Sequence, residues 1–332
     1  MIETAVYAIR TYGGVRGRQR ELPPTRFYLM SEPLLPIHTV LPAILHALTN
    51  YPRLVVQAPP GAGKTTVIPL AFCQQLALPG KLILIQPRRL AVHNAARRMA
   101  ALLGETVGKM VGIRTRYETQ VSASTRIEVV TGGIFLRQIQ ADPSLESVSC
   151  VLFDEFHERG IETDVGLAFA LDAQTVLRDA SHPLKIVLMS ATLDGKSLAQ
   201  WLGDAPLISS EGRCFPVIER YVPTPARAPI EPHITSVIVQ ALREESGDIL
   251  VFLPGLREIR RVQQLLKDAH GHAEWEVFPL HASLLPEQQE TAIQPSLLGK
   301  RKVVLATNVA ETSITIEGVR IVIDSGLVRV SL

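Results

Sequence analysis

The sequence lacks the features that mark secreted, disulfide-bonded or membrane-spanning proteins. Its three cysteines, Cys73, Cys150 and Cys214, lie far apart and show no metal-binding or redox spacing. This usage is typical of a reducing cytosol, where disulfides are rare. No apolar run approaches the length that spans a bilayer, and the first residues lack the apolar core of a signal peptide. We therefore expect a cytoplasmic protein that does not insert into a membrane.

The sequence also lacks a strong net charge. It has 34 basic and 32 acidic residues, which gives a formal charge of +2. Bulk charge therefore does not indicate a nucleic-acid partner, and any such partner would have to be bound by local groups. A length of 332 residues, 46% of them hydrophobic, predicts two compact domains.

The pattern along the chain predicts an α/β fold. Apolar strands alternate with helical segments, which is typical of a parallel sheet covered on both faces. A proline-rich stretch at residues 216–232 interrupts the alternation, so we place the two domains at residues 34–212 and 213–332. The last predicted strand, at residues 319–324, would leave an unpaired edge and lower the solubility of the chain.

Residues 1–33 differ from the rest of the chain. Residues 1–30 hold five arginines and two acidic residues, with no clear helical or strand period. One interpretation is a disordered leader, whose deletion would leave the melting temperature unchanged. The other is a basic arm that touches nucleic acid.

A glycine-rich turn between a strand and a helix predicts a phosphate-binding loop. In Ala58-Pro-Pro-Gly-Ala-Gly-Lys-Thr65, the glycines allow successive backbone N–H groups to point inward. Lys64 can reach the β- and γ-phosphates of ATP, and Thr65 offers a hydroxyl to Mg²⁺. Ala58 replaces the usual first glycine, and a chance glycine turn is the alternative. The predicted nucleotide contacts are Pro60, Gly61, Ala62, Gly63, Lys64, Thr65 and Thr66.

Two adjacent carboxylates end an apolar strand at Val151-Leu-Phe-Asp-Glu155. Ligands in α/β sheets bind at the carboxyl ends of strands, so Asp154 would lie beside the phosphate loop and hold Mg²⁺ together with Thr65. Glu155 would orient and deprotonate the attacking water. A plain strand terminus or helix cap is the alternative for both.

The segment Asp154-Glu-Phe-His-Glu-Arg159 resembles the DEAH box of superfamily 2 helicases. Phe156 in place of the usual alanine, together with the sequence Phe-Leu-Pro-Gly at residues 252–255, points to the bacterial HrpB-like branch. Other segments are similar to the family's motifs Ia, Ib, III, IV and V, at residues 86–91, 131–133, 190–192, 251–255 and 306–313.

This resemblance implies two RecA-like parallel-sheet domains in tandem, which grip ATP between them and single-stranded nucleic acid, RNA in this family, across them. It implies that an arginine, Arg98, stacks on the base of ATP. It implies that Ser190 and Thr192 couple the γ-phosphate to domain closure, with His157 linking the DEAH box, which is motif II of the family, to that step. A satisfied interface histidine is the alternative for His157. The implied contacts to the nucleic-acid backbone are Arg88, Arg89, Thr131, Gly132, Thr307 and Asn308.

The physical reading of these contacts agrees with the resemblance. Arginines and small donors at strand ends bind backbone rather than bases, so sequence preference should be weak. For Arg88 and Arg89, a solvated helix start is the alternative.

The family's motif VI, Gln-Arg-x-Gly-Arg-x-Gly-Arg, supplies arginine fingers, and nothing of that pattern lies in residues 307–332. The second domain is therefore expected to be incomplete at its C-terminal end. We expect an ATP-dependent RNA helicase core that binds ATP and Mg²⁺ but hydrolyses ATP slowly in this form. A nucleic-acid-binding ATPase switch that does not unwind, and a catalytically inactive fragment, are the alternatives. The sequence predicts no particular protein partner.

Overall fold

The computed structural model describes residues 5–10, 35–76, 78–179, 182–191, 195–211, 217–223, 229–269, 275–294, 296, 299–310 and 316–329. The chain divides into two compact units. The first comprises residues 19–213, and the second comprises residues 214–332 together with residues 1–18. None of the described helices has the length and apolar character needed to cross a membrane.

Strands and helices alternate along most of the described chain, which confirms the α/β prediction. The strands are β1 (Ala5–Arg10), β2 (Arg53–Gln57), β3 (Lys81–Gln86), β4 (Val111–Arg114), β5 (Thr119–Gln120), β6 (Ile127–Thr131), β7 (Val148–Phe153), β8 (Lys185–Ser190), β9 (Leu207–Ser209), β10 (Val217–Val222), β11 (Asp248–Phe252), β12 (Trp275–Leu280), β13 (Arg301–Ala306) and β14 (Val319–Asp324). The helices are α1 (Ile37–Asn50), α2 (Lys64–Gln75), α3 (Arg89–Leu102), α4 (Gly132–Ala141), α5 (Ile161–Asp172), α6 (Gly195–Trp201), α7 (Ile230–Glu244), α8 (Leu256–Ala269) and α9 (Pro286–Ile293).

The first unit is built on an eight-stranded sheet in the order β5-β4-β6-β3-β7-β8-β2-β9. All neighbours are parallel except β4 and β5. The central strands are continuous apolar runs because helices cover both faces, and two separate hydrophobic clusters fill the two sides. The parallel direction brings the carboxyl ends of β6, β3, β7, β8 and β2 to one edge.

The second unit has a six-stranded sheet in the order β10-β1-β14-β11-β13-β12. β12, β13, β11 and β14 are parallel, whereas β1 is antiparallel to both of its neighbours. Its core packs α7 and α8 against this sheet, with buried residues such as Ile234, Ile259 and Leu305.

The structure corrects two predictions about the ends of the chain. The leader was expected to be disordered, but Ala5–Arg10 forms β1. The edge of β14 was expected to be unpaired, but β1 pairs with it from Val6 to Ile9. The physical reason is that an edge strand presents a row of free N–H and C=O groups, and a segment without helical periodicity can add to it as a strand.

Candidate nucleotide and nucleic-acid site

Five neighbouring strands of the first unit place the predicted motifs side by side. The phosphate loop follows β2, motif III ends β8, motif II follows β7, motif Ia follows β3 and motif Ib follows β6. Because these strands are parallel neighbours, their following residues share one edge of the sheet. The first-unit residues predicted from separate motifs therefore belong to one surface.

Backbone constraints shape the phosphate loop. Gly63 has a φ of +94°, and a Cβ there would lie 2.7 Å from Cδ1 of Leu35, so both conformation and space require glycine. Gly61 also has a positive φ, of +74°. Ala58 is buried and is not among the residues with positive φ, and its N–H donates to the carbonyl of Ser190 over 3.0 Å. Alanine is therefore compatible with the position where the usual motif has glycine.

Asp154 is held by three hydrogen bonds. Its Oδ2 accepts from the Thr65 hydroxyl at 2.6 Å and from Nε2 of Gln86 at 2.8 Å. Its Oδ1 accepts from the N–H of Glu155 at 2.9 Å. Gln86 was not among the predicted site residues, although its position at the end of a buried strand in motif Ia was a usable signal. The hydroxyl of Thr65 and the carboxylate of Asp154 thus lie in direct contact.

The residues fit a Mg²⁺ site of the kind completed by phosphate. Within the described ranges there is no group of three or more His, Cys, Asp or Glu residues that could hold a metal ion. Mg²⁺ commonly takes only one or two protein ligands and completes its shell with phosphate oxygens and water. The pair Thr65 and Asp154 satisfies that smaller requirement.

Lys64 and Glu155 form a buried ion pair. Nζ of Lys64 lies 3.1 Å from Oε1 of Glu155, and the side chains are 3% and 11% exposed. Burial and the neighbouring charge of Asp154 raise the pKa of Glu155, against the opposing effect of Lys64. Glu155 also has a φ of +47°, which is costly for a residue with a Cβ. The geometry therefore holds a partly desolvated carboxylate beside the loop lysine, on a residue whose backbone conformation is strained.

His157 lies between motif II and motif III. Its Nδ1 is 3.5 Å from the N–H nitrogen of Ala191 and 3.5 Å from Oε2 of Glu155. Burial, followed by the charge of Lys64, lowers the pKa of His157. The lowered pKa favours the neutral imidazole, and a neutral imidazole can accept from the N–H of Ala191.

The arginines of motif Ia make two different contacts. Nε of Arg88 lies 3.4 Å from Oε2 of Glu158, which ties motif Ia to motif II. Arg89 is exposed, and its guanidinium lies 5.2 Å from the ring centre of Tyr117. The guanidinium of Arg116 lies 5.5 Å from the same ring, which is 73% exposed. Tyr117 and Arg116 were missed, although an exposed aromatic residue among arginines in a short hairpin favours nucleic-acid binding.

The remaining predicted residues are placed as follows. Thr131 caps α4 by position, and Gly132 is its first helical residue. Ser190 is buried at the end of β8, and Arg98 is exposed on α3. In the second unit, Thr307 follows β13, its N–H donates to the carbonyl of Leu280, and Asn308 begins a short 3₁₀ turn. Thr192 lies outside the described residues.

Comparison with known proteins identifies the family. A model described as DEAD/DEAH box helicase matches residues 39–201, and one described as helicase conserved C-terminal domain matches residues 233–329. The chain belongs to the DEAD/DEAH box helicases. It is similar to the ATP-dependent RNA helicase HrpB of Escherichia coli, with 48% identity over 297 residues, which are 90% of this chain and 36% of that protein.

The chain is also similar to a human helicase and to a solved helicase structure. The ATP-dependent RNA helicase DHX33 of Homo sapiens is 36% identical over 303 residues, which are 89% of this chain and 43% of that protein. A crystal structure of Escherichia coli DEAH/RHA helicase HrpB superposes with a TM-score of 0.78 at 47% identity, over 86% of this chain and 36% of that one. The similarity to HrpB confirms the predicted HrpB-like resemblance. The chain spans 36% of the length of HrpB and 43% of the length of DHX33.

Proposed function

We propose that this chain is the core of an ATP-dependent RNA helicase, in which the first unit hydrolyses ATP and drives movement on single-stranded RNA. The observation that carries the proposal is the meeting of two motifs that lie 89 residues apart, through the bond between Thr65 and Asp154. A structural loop would not require a hydroxyl, a lysine and two carboxylates at one sheet edge. Phosphoryl transfer requires that set.

The proposed roles follow from position. The backbone of the phosphate loop and Lys64 bind the β- and γ-phosphates of ATP, with Arg98 stacking on the base. Glu155 orients the attacking water and accepts its proton, while Lys64 balances the charge of the phosphoryl oxygens. When bound by Thr65 and Asp154, Mg²⁺ supplies further charge neutralisation at the phosphates. Ser190 and Thr192, together with His157, couple the presence of the γ-phosphate to domain closure.

The proposed RNA-binding face lies at the same edge of the first sheet. We propose that Arg88, Arg89, Thr131 and Gly132 contact phosphate oxygens and that bases stack on Tyr117, whose ring is exposed and lies beside the guanidinium of Arg89. In the second unit, Thr307 and Asn308 are the corresponding candidates. Contacts of this kind recognise backbone, so we propose weak sequence preference. The free thiols of Cys73 and Cys150 are compatible with the proposed cytoplasmic location.

Two single substitutions test the proposal by separating its two ligands. Lys64→Ala should weaken binding of a fluorescent ATP analogue by roughly 10- to 150-fold and leave binding of a labelled 12-nucleotide oligouridine in place. Arg89→Gln should do the reverse. If both variants bind both ligands as the unsubstituted chain does, the assignment fails. Strand displacement by a chain extended through motif VI then distinguishes a helicase from an ATPase switch.

A further inference from the structure

A groove in the second unit, which we call the arginine groove, lies between the start of α7 and the start of α8. It has a volume of about 700 Å³, and three arginines from the first two turns of α8 line it, Arg257, Arg260 and Arg261. All three are exposed. Glu231 is the one acidic residue among the described residues of the lining. The groove is therefore open to solvent and carries a net positive charge.

The charge of these arginines is not neutralised within the described part of the chain. None of the three guanidinium groups has a hydrogen bond or an ion pair there. Glu258, the acidic residue in the first turn of α8, is paired with Arg329, whose Nη2 lies 3.1 Å from its Oε1. Burial and, after it, the charge of Arg260 lower the pKa of His281. The arginines therefore line the groove without a carboxylate bound to any of them.

Arginines at these positions do not favour the helix that carries them. The dipole of a helix is positive at its N-terminal end, so it disfavours cations in the first turn, where Arg257 lies. Like charges three or four residues apart on a helix also repel, and Arg257 is three residues before Arg260 and four before Arg261. The fold alone would favour neutral or acidic residues here. An anionic ligand explains the three arginines, whereas helix stability does not.

The uncharged part of the lining favours a peptide over a nucleic acid. Pro229, Pro232 and Leu256 give the groove an apolar, aliphatic surface. None of its described lining residues is aromatic, whereas sites for single-stranded nucleic acid combine basic groups with aromatic rings on which bases stack. Arginine is enriched at protein interfaces, and its planar fork binds a carboxylate through two parallel hydrogen bonds.

We propose that the arginine groove binds an extended acidic segment of a partner protein, in which carboxylates alternate with aliphatic side chains. Alternate side chains of an extended segment point to the same side and recur about every 6.5 Å. The Cβ atoms of residues three or four apart on a helix are about 5–6 Å apart, which is a similar spacing. One side of the segment then presents carboxylates to the arginines of α8, and the other presents aliphatic groups to Pro229 and Pro232.

The test is the affinity of the 332-residue chain for a labelled eight-residue peptide in which glutamate alternates with leucine. The measurement is made at about 0.1 M salt, where exposed charges are screened beyond about 10 Å. Arg260→Gln and Arg261→Gln should each weaken binding by about tenfold, the lower end of the range for one hydrogen bond to a charged group. A peptide in which glutamine replaces glutamate should bind more weakly by about tenfold or more. Melting temperatures of both variants should be unchanged or higher, because a repulsion within α8 is removed.

Arg243→Gln is the matched control, because Arg243 is an exposed arginine at the opposite end of α7. It should leave the affinity for the glutamate peptide unchanged. The proposal fails if that peptide does not bind, or if Arg260→Gln and Arg261→Gln bind it as the unsubstituted chain does. It also fails if 12-nucleotide oligouridine displaces the peptide and Arg261→Gln weakens oligouridine binding to the same extent. The arginine groove would then bind RNA rather than a protein segment.

Discussion

A substitution of Gln86 tests whether Mg²⁺ binding requires the carboxylate of Asp154 to be held in one orientation. It ends β3, is 1% exposed, and donates through Nε2 to Oδ2 of Asp154 over 2.8 Å. Replacing Gln86 by methionine keeps the length of the side chain but removes the donor. The bonds from Thr65 and from the N–H of Glu155 remain. The substitution therefore loosens the carboxylate without removing it.

We expect Gln86→Met to weaken ATP binding in Mg²⁺ by about tenfold and to leave binding in EDTA unchanged. A hydrogen bond to a charged group contributes about 1.5–3 kcal/mol. A tenfold change in Kd corresponds to about 1.4 kcal/mol, so the prediction requires about half or more of that free energy to act on the metal site. Without Mg²⁺ the orientation of Asp154 matters little, because the loop backbone and Lys64 bind the phosphates.

The assay is titration of a fluorescent ATP analogue in Mg²⁺ and in EDTA, together with the free energy of unfolding. Gln138→Met is the matched control, because the amide of Gln138 donates to Oε2 of Glu128 over 3.2 Å, outside the proposed nucleotide site. The reasoning is refuted if Gln86→Met is less stable but keeps the full gain in affinity that Mg²⁺ gives the unsubstituted chain. Gln86 would then serve the fold alone.

Three further predictions each concern a substitution of one side chain. Lys64→Ala should weaken ATP binding by roughly 10- to 150-fold, the range for one charge-assisted hydrogen bond, as measured by the same titration. Glu155→Gln should retain ATP binding but lower any turnover by about 10²-fold or more, and unchanged turnover would assign the base to another residue. Lys302 is fully buried, and its ammonium donates to the carbonyls of Ala292, Thr291 and Gln294 at the end of α9. Lys302→Met should therefore lower the free energy of unfolding by about 2–4 kcal/mol in a denaturant titration.

Sequence reasoning predicted that the phosphate loop and the DEAH box meet at one sheet edge, because both motifs combine a local pattern with a position at a strand end. Lys64, Thr65 and Asp154 could be placed together before the structure, since parallel strands bring their carboxyl ends to one edge. The contacts of Gln86 and Glu158 could not be predicted in the same way, although the strand-end position of Gln86 indicated that it lies near the site. Their roles depend on which side chains face Asp154 and Arg88 across the sheet edge, and no spacing along the chain encodes that.

The missed features depend on contacts between distant segments. The hairpin that carries Tyr117 is short and polar, so no periodicity marked it as an element, and the contact with Arg89 arises only when β4 pairs beside β6. The approach of Glu162 to Gly133 likewise requires α4 and α5 to pack together. The sequence shows glycine at positions 132 and 133, but it does not show that the side chain of Glu162 packs against them.

β1 forms in a segment where the local sequence pattern predicted no strand. Ala5–Arg10 pairs along six residues with β10 and along four with β14, so this segment contributes an interior strand, next to the edge strand β10, to the sheet of the second unit. Each backbone hydrogen bond contributes about 0.5–1.5 kcal/mol net, and removing the strand also exposes two edges that can pair with another chain. Deleting residues 1–30 should therefore lower the melting temperature by several degrees and increase light scattering on heating, whereas deleting residues 1–4 should do neither. Equal melting and scattering for the two deletions would show that β1 adds nothing to the sheet, as the sequence pattern alone had predicted.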